Sequence, residues 1–394
     1  MRLLFVADGR SPIALSWISY FLESSHQVHL VSTYPCDPDP RLASLRVLPV
    51  AFSRLAGAGD SGGIAQGRWG GAANLRARAW LRQWLGPLTL PSAAPRLRLI
   101  IDQVQPELVH AMRIPYEGIL AALAKPPAPL LISVWGNDFT LHAPSNPLLS
   151  RLTRLALRRA DALHADCQRD ARLARAWGLG ENVPAVVLPG AGGVQQEIFF
   201  LPSQAERAMA ERDPQVINPR GMRLYVRNDA FFQSIPYVLE RMPAVRFVCP
   251  AMAGEPEAHQ WVERLGLAGS VELLPRQSRP QMAHLFRRSL VAVSPSIHDG
   301  TPNTLLEAMA CGCFPVAGDL ESLREWVEPG VNGMLVDPGD PQALGRAVVA
   351  ALGDGDLRQK AAEYNLKLIA ARAEYQGVMA EAERFYRDLI QVAA

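Results

Sequence analysis

The chain of 394 residues is short of cysteine, of net charge and of long apolar runs, and each shortage excludes a class of protein. Its five cysteines, at positions 36, 167, 249, 311 and 313, include no second Cys/His pair at zinc-binding spacing, which argues against a structural zinc site. No segment reaches the ~18 uninterrupted apolar residues that a membrane-spanning helix needs. A formal net charge of +2 gives no overall field that would attract nucleic acid.

The scattered cysteines and the N-terminus both indicate a cytoplasmic protein. An odd number of cysteines without a framework fits a reducing compartment. The first ten residues begin like a secretion signal, but Asp8 interrupts their apolar run and no small-residue cleavage site follows, so we predict a strand instead. With 49% hydrophobic and 20% charged residues, the chain is long enough to fold around two separate cores.

Short apolar runs alternate with helical patterns along most of the chain. Runs at 3–7 and 28–32 flank a helical pattern at 13–23, which predicts a β-α-β unit. This alternation predicts an α/β protein with parallel sheets that are covered on both faces. The other strands are predicted at 108–111, 130–135, 162–165 and 185–188, and in a second series at 223–226, 246–249, 271–274, 290–294 and 315–317.

The two series of strands predict two Rossmann-like domains that face each other across a central cleft. We place the N-terminal domain at residues 1–200 and the C-terminal domain at 201–375, with the polar stretch 201–221 as a linker. The helical tail at about 376–394 is expected to pack back on the first domain. Ligands of open α/β sheets bind beyond the carboxyl ends of the strands, which predicts a site in the cleft.

One segment after the predicted strand at 290–294 has the features of a ligand-binding helix start. It reads Asp299-Gly-Thr-Pro-Asn-Thr-Leu-Leu-Glu307. We predict Thr301 as the N-cap and Pro302 as the first helical residue, where a missing N–H costs nothing. Leu305 belongs to the apolar face, and Gly312 fits the position that ends the helix.

The start of this predicted helix favours an anionic ligand. Its free backbone amides and the helix dipole form an anion site without a basic side chain. Glu307 lies on the same helical face as Asn303 and Thr304. A carboxylate one turn beyond a phosphate site can accept hydrogen bonds from a ribose diol. The pattern also fits a capped surface helix with solvated acidic residues.

The segment resembles the retaining family 4 glycosyltransferases of the GT-B fold. The family has two glutamates in a stretch like Glu-Gly-x-Pro-x-x-x-Leu-Glu-Ala-Met-Ala-x-Gly, and this chain reads Asp299-Gly-Thr-Pro-Asn-Thr-Leu-Leu-Glu307-Ala-Met-Ala-Cys-Gly312. The stretch from Glu325 to Asp340 also resembles the family. The likeness is strong over residues 270–350 and weaker, though in the right order, over most of the rest.

The resemblance implies a hexosyltransferase without metal or cofactor. It would transfer a sugar, with retention of configuration, from a nucleoside diphosphate sugar to a hydroxyl of a glycan or lipid-linked acceptor. Glu307 would hold the ribose, Asp299 the transferred sugar, and the amides from Gly300 to Thr304 the β-phosphate. The donor-binding residues would be Gly300, Thr301, Asn303, Thr304, Leu305, Glu307, Arg276 and Gly9, with Asp299, Arg227 and Asp138 closest to the chemistry.

The donor side departs from the family pattern at two positions. Asp299 replaces the first glutamate, which keeps the charge on a shorter side chain. The family has an arginine after the first strand of the second domain and a lysine five or six residues later, both on the diphosphate. Arg227 fits the arginine, but Phe232 and Gln233 stand where the lysine is expected. Arg276 and Arg223 are alternative sources of positive charge.

The first domain departs from the pattern as well. Relatives have a His-Gly-x-Asp segment beside the reacting sugar, where this chain has Trp135-Gly136-Asn-Asp138. Trp135 can stack on a sugar or belong to the core. Asp138 can line an acceptor pocket or cap a turn. Trp135, Gly136 and His110 are the candidates for that pocket, and Gly9 is what remains of the family's glycine pair in the first loop.

The stretch 68–98 is basic and contains tryptophan. There is no acidic residue between Asp60 and Asp102, and Trp80 and Trp84 stand among arginines at 68, 76, 78, 82, 96 and 98. Such a segment can lie on an anionic membrane surface, which would make the protein peripheral on the inner face of a membrane. It can equally be an amphipathic helix packed on the sheet. A predicted helix with arginines at 151, 154, 158 and 159 would extend the same face.

Two other functions fit a pair of Rossmann-like domains. A nucleotide-sugar epimerase shares the architecture, and a degenerate homologue would bind nucleotide sugar without turning it over. The second alternative follows from the missing lysine and histidine, because a site without charge stabilisation loses rate. A dinucleotide-binding protein is disfavoured, since no Gly-x-Gly-x-x-Gly follows the first strand.

Overall fold

The computed structural model describes residues 1–53 and 84–393, which divide into two compact units. The N-terminal unit comprises Met1–Gly192 together with Val378–Ala394, and the C-terminal unit comprises Gly193–Gly377. The division falls at Gly192 rather than at residue 200, and the chain from Val378 onward belongs to the N-terminal unit. Among the described residues, no helix is both long and apolar enough to cross a membrane.

The N-terminal unit contains a seven-stranded parallel sheet in the order β3-β2-β1-β4-β5-β6-β7. Every residue of β4, β5 and β6 is buried, as expected for parallel strands that are covered on both faces. Strand β3 was not predicted, because its polar edge sequence is partly exposed. The strands are β1 Arg2–Ala7, β2 Gln27–Ser32, β3 Ser44–Val47, β4 Leu108–Met112, β5 Leu130–Val134, β6 Ala162–Ala165 and β7 Ala185–Val187.

Helices connect these strands and confirm the predicted β-α-β opening. Helix α1 begins where the Ser11 side chain accepts a hydrogen bond from the Ala14 amide. Short π-helical turns at Ile114–Gly118 and Asp138–His142 follow β4 and β5, at the carboxyl edge of the sheet. The helices are α1 Pro12–Glu23, α2 Leu90–Val104, α3 Ile119–Ala124, α4 Pro147–Arg159 and α5 Gln168–Ala176.

The C-terminal unit has a six-stranded parallel sheet in the order β10-β9-β8-β11-β12-β13. Its strands are β8 Gln215–Ile217, β9 Arg246–Cys249, β10 Val271–Leu273, β11 Val291–Ser294, β12 Phe314–Gly318 and β13 Met334–Val336. The remaining helices are α6 Gln204–Arg212, α7 Asn228–Arg241, α8 Pro256–Arg264, α9 Arg279–Arg288, α10 Asn303–Ala310, α11 Pro341–Gly353, α12 Gly355–Arg372 and α13 Tyr375–Ala393. The prediction of two Rossmann-like, parallel-sheet units is therefore confirmed.

The predicted strand at 223–226 is wrong, and so is the linker at 201–221. The first strand of the C-terminal unit is β8, whose three residues are buried between β9 and β11. Leu224 is 95% exposed, so the later segment has no sheet to cover it. Only Val226 pairs there, in an isolated bridge to Ser296. The polar stretch that we predicted as a linker contains α6 and β8.

A buried chain of hydrogen bonds attaches α13 to the sheet of the N-terminal unit. The indole N–H of Trp17 donates to the Tyr386 hydroxyl at 2.8 Å, and this hydroxyl is also bonded to Nδ1 of His110. His110 Nε2 is 2.6 Å from the Ser133 hydroxyl, which is 2.8 Å from Nδ1 of His164. At the far end His164 Nε2 is 2.9 Å from the Leu188 carbonyl, which can only accept, so Nε2 donates. In neutral rings each Nδ1 then accepts, so His110 and His164 are both Nε2–H tautomers and the chain has one direction.

Candidate functional site

The segment from Asp299 to Glu307 joins β11 to α10 in the C-terminal unit. Helix α10 begins at Asn303 with Pro302 as its N-cap, so the predictions of Thr301 as the N-cap and of Pro302 as the first helical residue are both wrong. The Thr301 hydroxyl instead accepts a hydrogen bond from the Trp326 indole at 2.9 Å, which fixes the loop. Gly312 follows the helix at φ 86°, a left-handed conformation that confirms its predicted place at the end.

The first turn of α10 offers two backbone amides. The Leu305 amide donates a hydrogen bond to the Pro302 carbonyl, and the Leu305 side chain is buried in the core. Neither the amide nor the side chain of Leu305 is therefore available for the predicted contact with the nucleotide sugar. The amides of Asn303 and Thr304 begin the helix and have no intrahelical acceptor. Gly300 is buried in the preceding loop.

A short ion pair joins Asp299 to Arg220, a residue that the sequence did not single out. Nη2 of Arg220 lies 2.6 Å from Oδ2 of Asp299, and Nη1 donates to the Thr304 hydroxyl at 3.2 Å. The two charged side chains are only 7% and 13% exposed. Asp299 is also held through its carbonyl, which accepts from the Ser322 hydroxyl. Arg220 therefore links the loop before α10 to the first turn of that helix.

Arg227 lies beside the same loop. It precedes α7, and its amide donates to the Pro295 carbonyl at 2.9 Å. Its guanidinium is about one-third exposed and pairs with Asp229 at 2.7 Å. Counted from the observed strand β8, Arg220 comes first and Arg227 seven residues later. Three arginines thus follow the first strand of this unit, at positions 220, 223 and 227.

Phe232 and Gln233, which stand where the family lysine was expected, are not part of this loop. Phe232 is buried in the core of the C-terminal unit, and Gln233 is exposed within α7. The expected lysine position was counted from a strand that does not exist. With β8 as the reference and Arg220 as the arginine, a basic residue five or six positions later would fall at Tyr225 or Val226, and Arg227 is the basic residue that follows them. The loss of the family lysine therefore stays a prediction.

Glu307 is the other acidic residue of the motif, and it is paired as well. Its Oε1 lies 3.3 Å from Nη2 of Arg279, the first residue of α9. Burial raises the pKa of Glu307 to about 7, against the opposing charge of Arg279. Arg279 also donates to the Gln195 side chain at 2.9 Å. Arg276, another predicted donor residue, is exposed in the loop between β10 and α9.

Gly9 follows β1 in the N-terminal unit, where its amide donates to the Ser32 hydroxyl at 3.0 Å. A Cβ at this position would lie 2.5 Å from Sγ of Cys36 and 2.8 Å from the Ser32 oxygen. Close packing within the loop therefore explains the glycine without a ligand.

Asp138 and Gly136 stabilise the turn after β5. The buried Asp138 carboxylate accepts from Arg113 Nε at 2.9 Å and from the Trp135 amide at 3.0 Å. Burial raises the pKa of Asp138, which the charge of Arg113 opposes. The Gly136 amide donates to Asp166 at 3.2 Å. These contacts favour the turn-capping interpretation of Asp138 over a place in an acceptor pocket.

The other two acceptor candidates lie in different surroundings. His110 is 1% exposed, and both of its ring nitrogens are hydrogen-bonded, to Tyr386 and Ser133. The structure therefore places His110 in the interior instead of on an open pocket. Trp135 is half-buried, with the Arg113 guanidinium 5.8 Å from its ring.

Three potential metal ligands lie together next to this turn. Atoms of Asp166, Cys167 and Asp170 lie within 4.8 Å of one another. Burial raises the pKa of the Cys167 thiol, and Arg169 already pairs with Asp170 at 2.7 Å. A neutral thiol and a guanidinium make this a poor cation site, since metals bind the thiolate.

The chain spans between 22% and 55% of the length of curated relatives that it matches. D-inositol 3-phosphate glycosyltransferase from Streptomyces bingchenggensis is 27% identical over 256 residues, which cover 59% of this chain and 55% of the relative. The enzyme of the same name from Xylanimonas cellulosilytica is 29% identical over 218 residues, or 52% and 51% of the two chains.

Solved structures resemble the whole chain at low sequence identity. Sucrose-phosphate synthase from Thermosynechococcus elongatus matches with a TM-score of 0.76 and 16% identity over 100% of both chains. HepE from Anabaena, in complex with UDP and glucose, matches with a TM-score of 0.71 and 16% identity, over 98% of this chain and 100% of that one. At this identity the likeness concerns the fold, which is that of GT-B glycosyltransferases.

Two family models match consecutive parts of the sequence. The glycosyl transferase 4-like domain matches residues 11–191, and the family described as glycosyl transferases group 1 matches residues 229–368. The first match falls within the N-terminal unit, and the second contains α10 with its motif. The chain therefore belongs to the group 1 glycosyltransferases of the family 4 type.

Proposed function

We propose that the protein transfers a sugar from a nucleoside diphosphate sugar to a hydroxyl of a glycan or lipid-linked acceptor, with retention and without a metal. The observation that carries the proposal is the pairing of both acidic residues of the motif with arginines. Asp299 pairs with Arg220 and Glu307 with Arg279, so charges of both signs surround the start of α10. An anionic diphosphate and a neutral sugar diol together need both kinds of group.

The donor's diphosphate is assigned to the basic side of this site. Arg220 presents a planar fork of N–H donors, and such forks bind phosphate oxygens in a bidentate manner. Arg227 and the amides of Asn303 and Thr304 would add charge and directed donors. Stabilising the charge that develops on the departing diphosphate is expected to supply a large part of the rate.

The two carboxylates are assigned to the donor's hydroxyl groups. Glu307 lies one turn along α10 from the amides of Asn303 and Thr304, so a phosphate at the helix start and a diol at the carboxylate would lie next to each other. Asp299, at the loop, would hold a hydroxyl of the transferred sugar. HepE has been solved with UDP and with UDP-glucose, so uridine nucleotides are the first ligands to test.

The chemistry is assigned to the donor itself. The motif's two carboxylates are paired with arginines and so are poorly placed as an acid and base pair. In a retaining transfer, an oxygen of the leaving phosphate can take the proton from the acceptor hydroxyl on the same face of the sugar. The protein's part is then to orient the donor and to stabilise the leaving charge.

Glu307→Ala is expected to lower kcat/KM for the donor about 100-fold, because two charge-assisted hydrogen bonds to a diol are lost. The measurement is the release of nucleoside diphosphate over a panel of UDP, GDP and ADP sugars with glycan and lipid acceptors. Glu272→Ala is the matched control, since Glu272 is an exposed carboxylate on β10 of the same unit.

Three outcomes of this assay would change the assignment. Undiminished turnover by Glu307→Ala would remove Glu307 from the donor site. Conversion of the donor into a second nucleotide sugar, without an acceptor and without release of nucleoside diphosphate, would indicate an epimerase. Saturable binding of a nucleotide sugar without turnover, over the whole panel, would indicate a binding-only homologue.

A basic face on α4 supports the further proposal that the acceptor is reached at an anionic membrane surface. Four arginines of α4 are exposed, and within the described ranges none of them pairs with a carboxylate. Arg154 lies over the Trp177 ring and Arg159 donates to the Ala122 carbonyl, while Arg151 and Arg158 are exposed. Of the predicted stretch 68–98, residues 68–83 lie outside the described residues. In the described part, Trp84 is exposed and Arg98 pairs with Asp102.

We expect the protein to co-sediment with phosphatidylglycerol-containing vesicles at low salt and to be released as the salt concentration rises. Replacing both Arg151 and Arg158 by glutamine should weaken binding roughly 30-fold, at about 1 kcal/mol for each basic residue near the surface. Arg384→Gln, at an exposed position of α13 in the same unit, is the control. The face on α4 would be excluded as a membrane-binding surface by equal sedimentation of the wild type, the double variant and the control. The absence of any sedimentation with anionic vesicles would exclude it as well.

A further inference from the structure

Arg279 occupies a fixed position beside the carboxylate of Glu307. It is the first residue of α9, and the first turn of that helix is capped by a hydrogen bond from the Ser278 amide to the Gln281 side chain at 2.8 Å. One arm of its guanidinium donates to Gln195 at 2.9 Å, and the other lies 3.3 Å from Oε1 of Glu307. The helix start and Gln195 thus aim the guanidinium at Glu307.

Glu307 needs such a neighbour if it is to act as an acceptor. Its side chain is only 14% exposed, against 38% for Arg279. A buried carboxyl group tends to take up a proton, because burial disfavours the charged form. A protonated carboxyl group spends one oxygen as a donor and loses the strong, charge-assisted bonds that a carboxylate accepts.

The carboxylate keeps capacity for a ligand while it is paired. Two carboxylate oxygens offer about four acceptor positions, and the pair with Arg279 uses one of them. A vicinal diol can therefore bind Glu307 without displacing Arg279. The ion pair and the ligand would be held at the same time.

We infer that Arg279 is a positioning residue for donor binding, which holds Glu307 in the ionised and oriented state that a ribose diol requires. The inference rests on the proposed function, because it takes Glu307 as the ligand of the donor's ribose. Arg279 itself need not touch the nucleotide. Its effect passes through Glu307 alone, and this separates it from a residue that binds phosphate.

The protonation of Glu307 makes the inference measurable. Burial raises the pKa of Glu307 to about 7, and Arg279 opposes this rise. Helices α9 and α12 and strands β11 and β12 pack against α10. Among their described residues, Arg279 is the charged group that acts on Glu307, and Cys311 at the end of α10 is a buried thiol whose pKa burial raises to about 12. Removing Arg279 should raise the pKa of Glu307 further.

The experiment compares nucleoside diphosphates with their 2′,3′-dideoxy analogues by calorimetry between pH 6 and 9.5. The probes are UDP, GDP and ADP. For the wild type, the preference for the diol should grow as the pH rises through about 7. In Arg279→Gln, the preference at pH 7.5 should fall about tenfold, the size of one lost charge-assisted bond, and should recover near pH 9.5. Affinity for the dideoxy analogue should not change.

Two further variants keep the result unambiguous. Arg279→Lys retains the charge and should keep most of the diol preference at pH 7.5. Arg288→Gln lies at the other end of α9, on a side chain that is 46% exposed, and should bind as the wild type does. If Arg279→Gln does not fold, Arg279→Lys and the wild-type pH profile still test the inference.

Several results would overturn it. A diol preference in Arg279→Gln that equals the wild type's would exclude the positioning role. An equal loss for both ligands at every pH would show that Arg279 contacts the nucleotide directly. If the wild type binds no probe, or binds without a preference for the diol, the proposed function of Glu307 fails, and this inference fails with it.

Discussion

Arg220→Gln should lower kcat for sugar transfer by about 100- to 1000-fold, the usual effect of removing one preorganised group that stabilises developing charge. Arg220 is buried between Asp299 and Thr304, so its guanidinium is held in place before a ligand arrives. When the sugar departs, negative charge grows on the diphosphate beside it. Glutamine has a shorter, neutral side chain, so it provides no positive charge beside the diphosphate.

The matched controls for this variant come from the same segment. Arg223→Gln changes an arginine whose described contact is the Tyr225 side chain at the surface, and its turnover should stay within twofold of the wild type's. Gln233→Lys restores the lysine at the position that the sequence suggested and should also change nothing, because Gln233 is exposed in α7. A gain of activity in Gln233→Lys, or full activity in Arg220→Gln, would contradict the assignment made from β8.

The positions of Arg220 and Arg227 relative to the first strand of the C-terminal unit could not be predicted from the sequence. Strand β8 has only three residues, Gln215–Ile217, in a polar stretch, and its signal is weaker than that of the exposed run at 223–226. Hydrophobic periodicity cannot separate so short a strand from a turn. The strands β4, β5, β6 and β9 were placed within a residue or two, because they are continuous apolar runs bounded by turns.

The candidate site was predictable where it is local. The segment from Asp299 to Glu307 is contiguous, so its sequence alone predicts a loop before a helix that ends shortly before Gly312. The partners of its carboxylates come from 79 and 28 residues away, and no local pattern connects Arg220 or Arg279 with them. The acceptor candidates in the N-terminal unit were less predictable, because a lone histidine or aspartate carries no signal of its burial.

Tyr386→Phe should lower the free energy of unfolding of the N-terminal unit by about 2–4 kcal/mol, through two buried groups left unsatisfied at once. The hydroxyl of Tyr386 accepts from Trp17 and donates to His110, and all three side chains are at most 1% exposed. Phenylalanine keeps the ring that stacks on Phe21 but supplies neither bond. Urea unfolding followed by circular dichroism measures the loss, with Tyr364→Phe at an exposed site of α12 as the control.

The same hydrogen-bond chain predicts how stability changes with pH. Burial lowers the pKa of His164 to about 4 and lowers that of His110 as well, so both are neutral when folded. In the unfolded chain they protonate near pH 6.5. Below pH 6.5 the unfolded state therefore binds more protons than the folded state. The contribution of the two neutral histidines to the free energy of unfolding should be fully present above pH 6.5 and should decrease steadily towards pH 4. Tyr386→Phe loses its hydrogen bonds at every pH and keeps both histidines buried. Its midpoint of urea unfolding should therefore lie below that of the wild type across the whole pH range, including above pH 7. A wild-type melting temperature that is flat from pH 7.5 to 5, or a Tyr386→Phe variant within 0.5 kcal/mol of the wild type, a margin typical of neutral surface changes, would contradict the direction assigned to this chain.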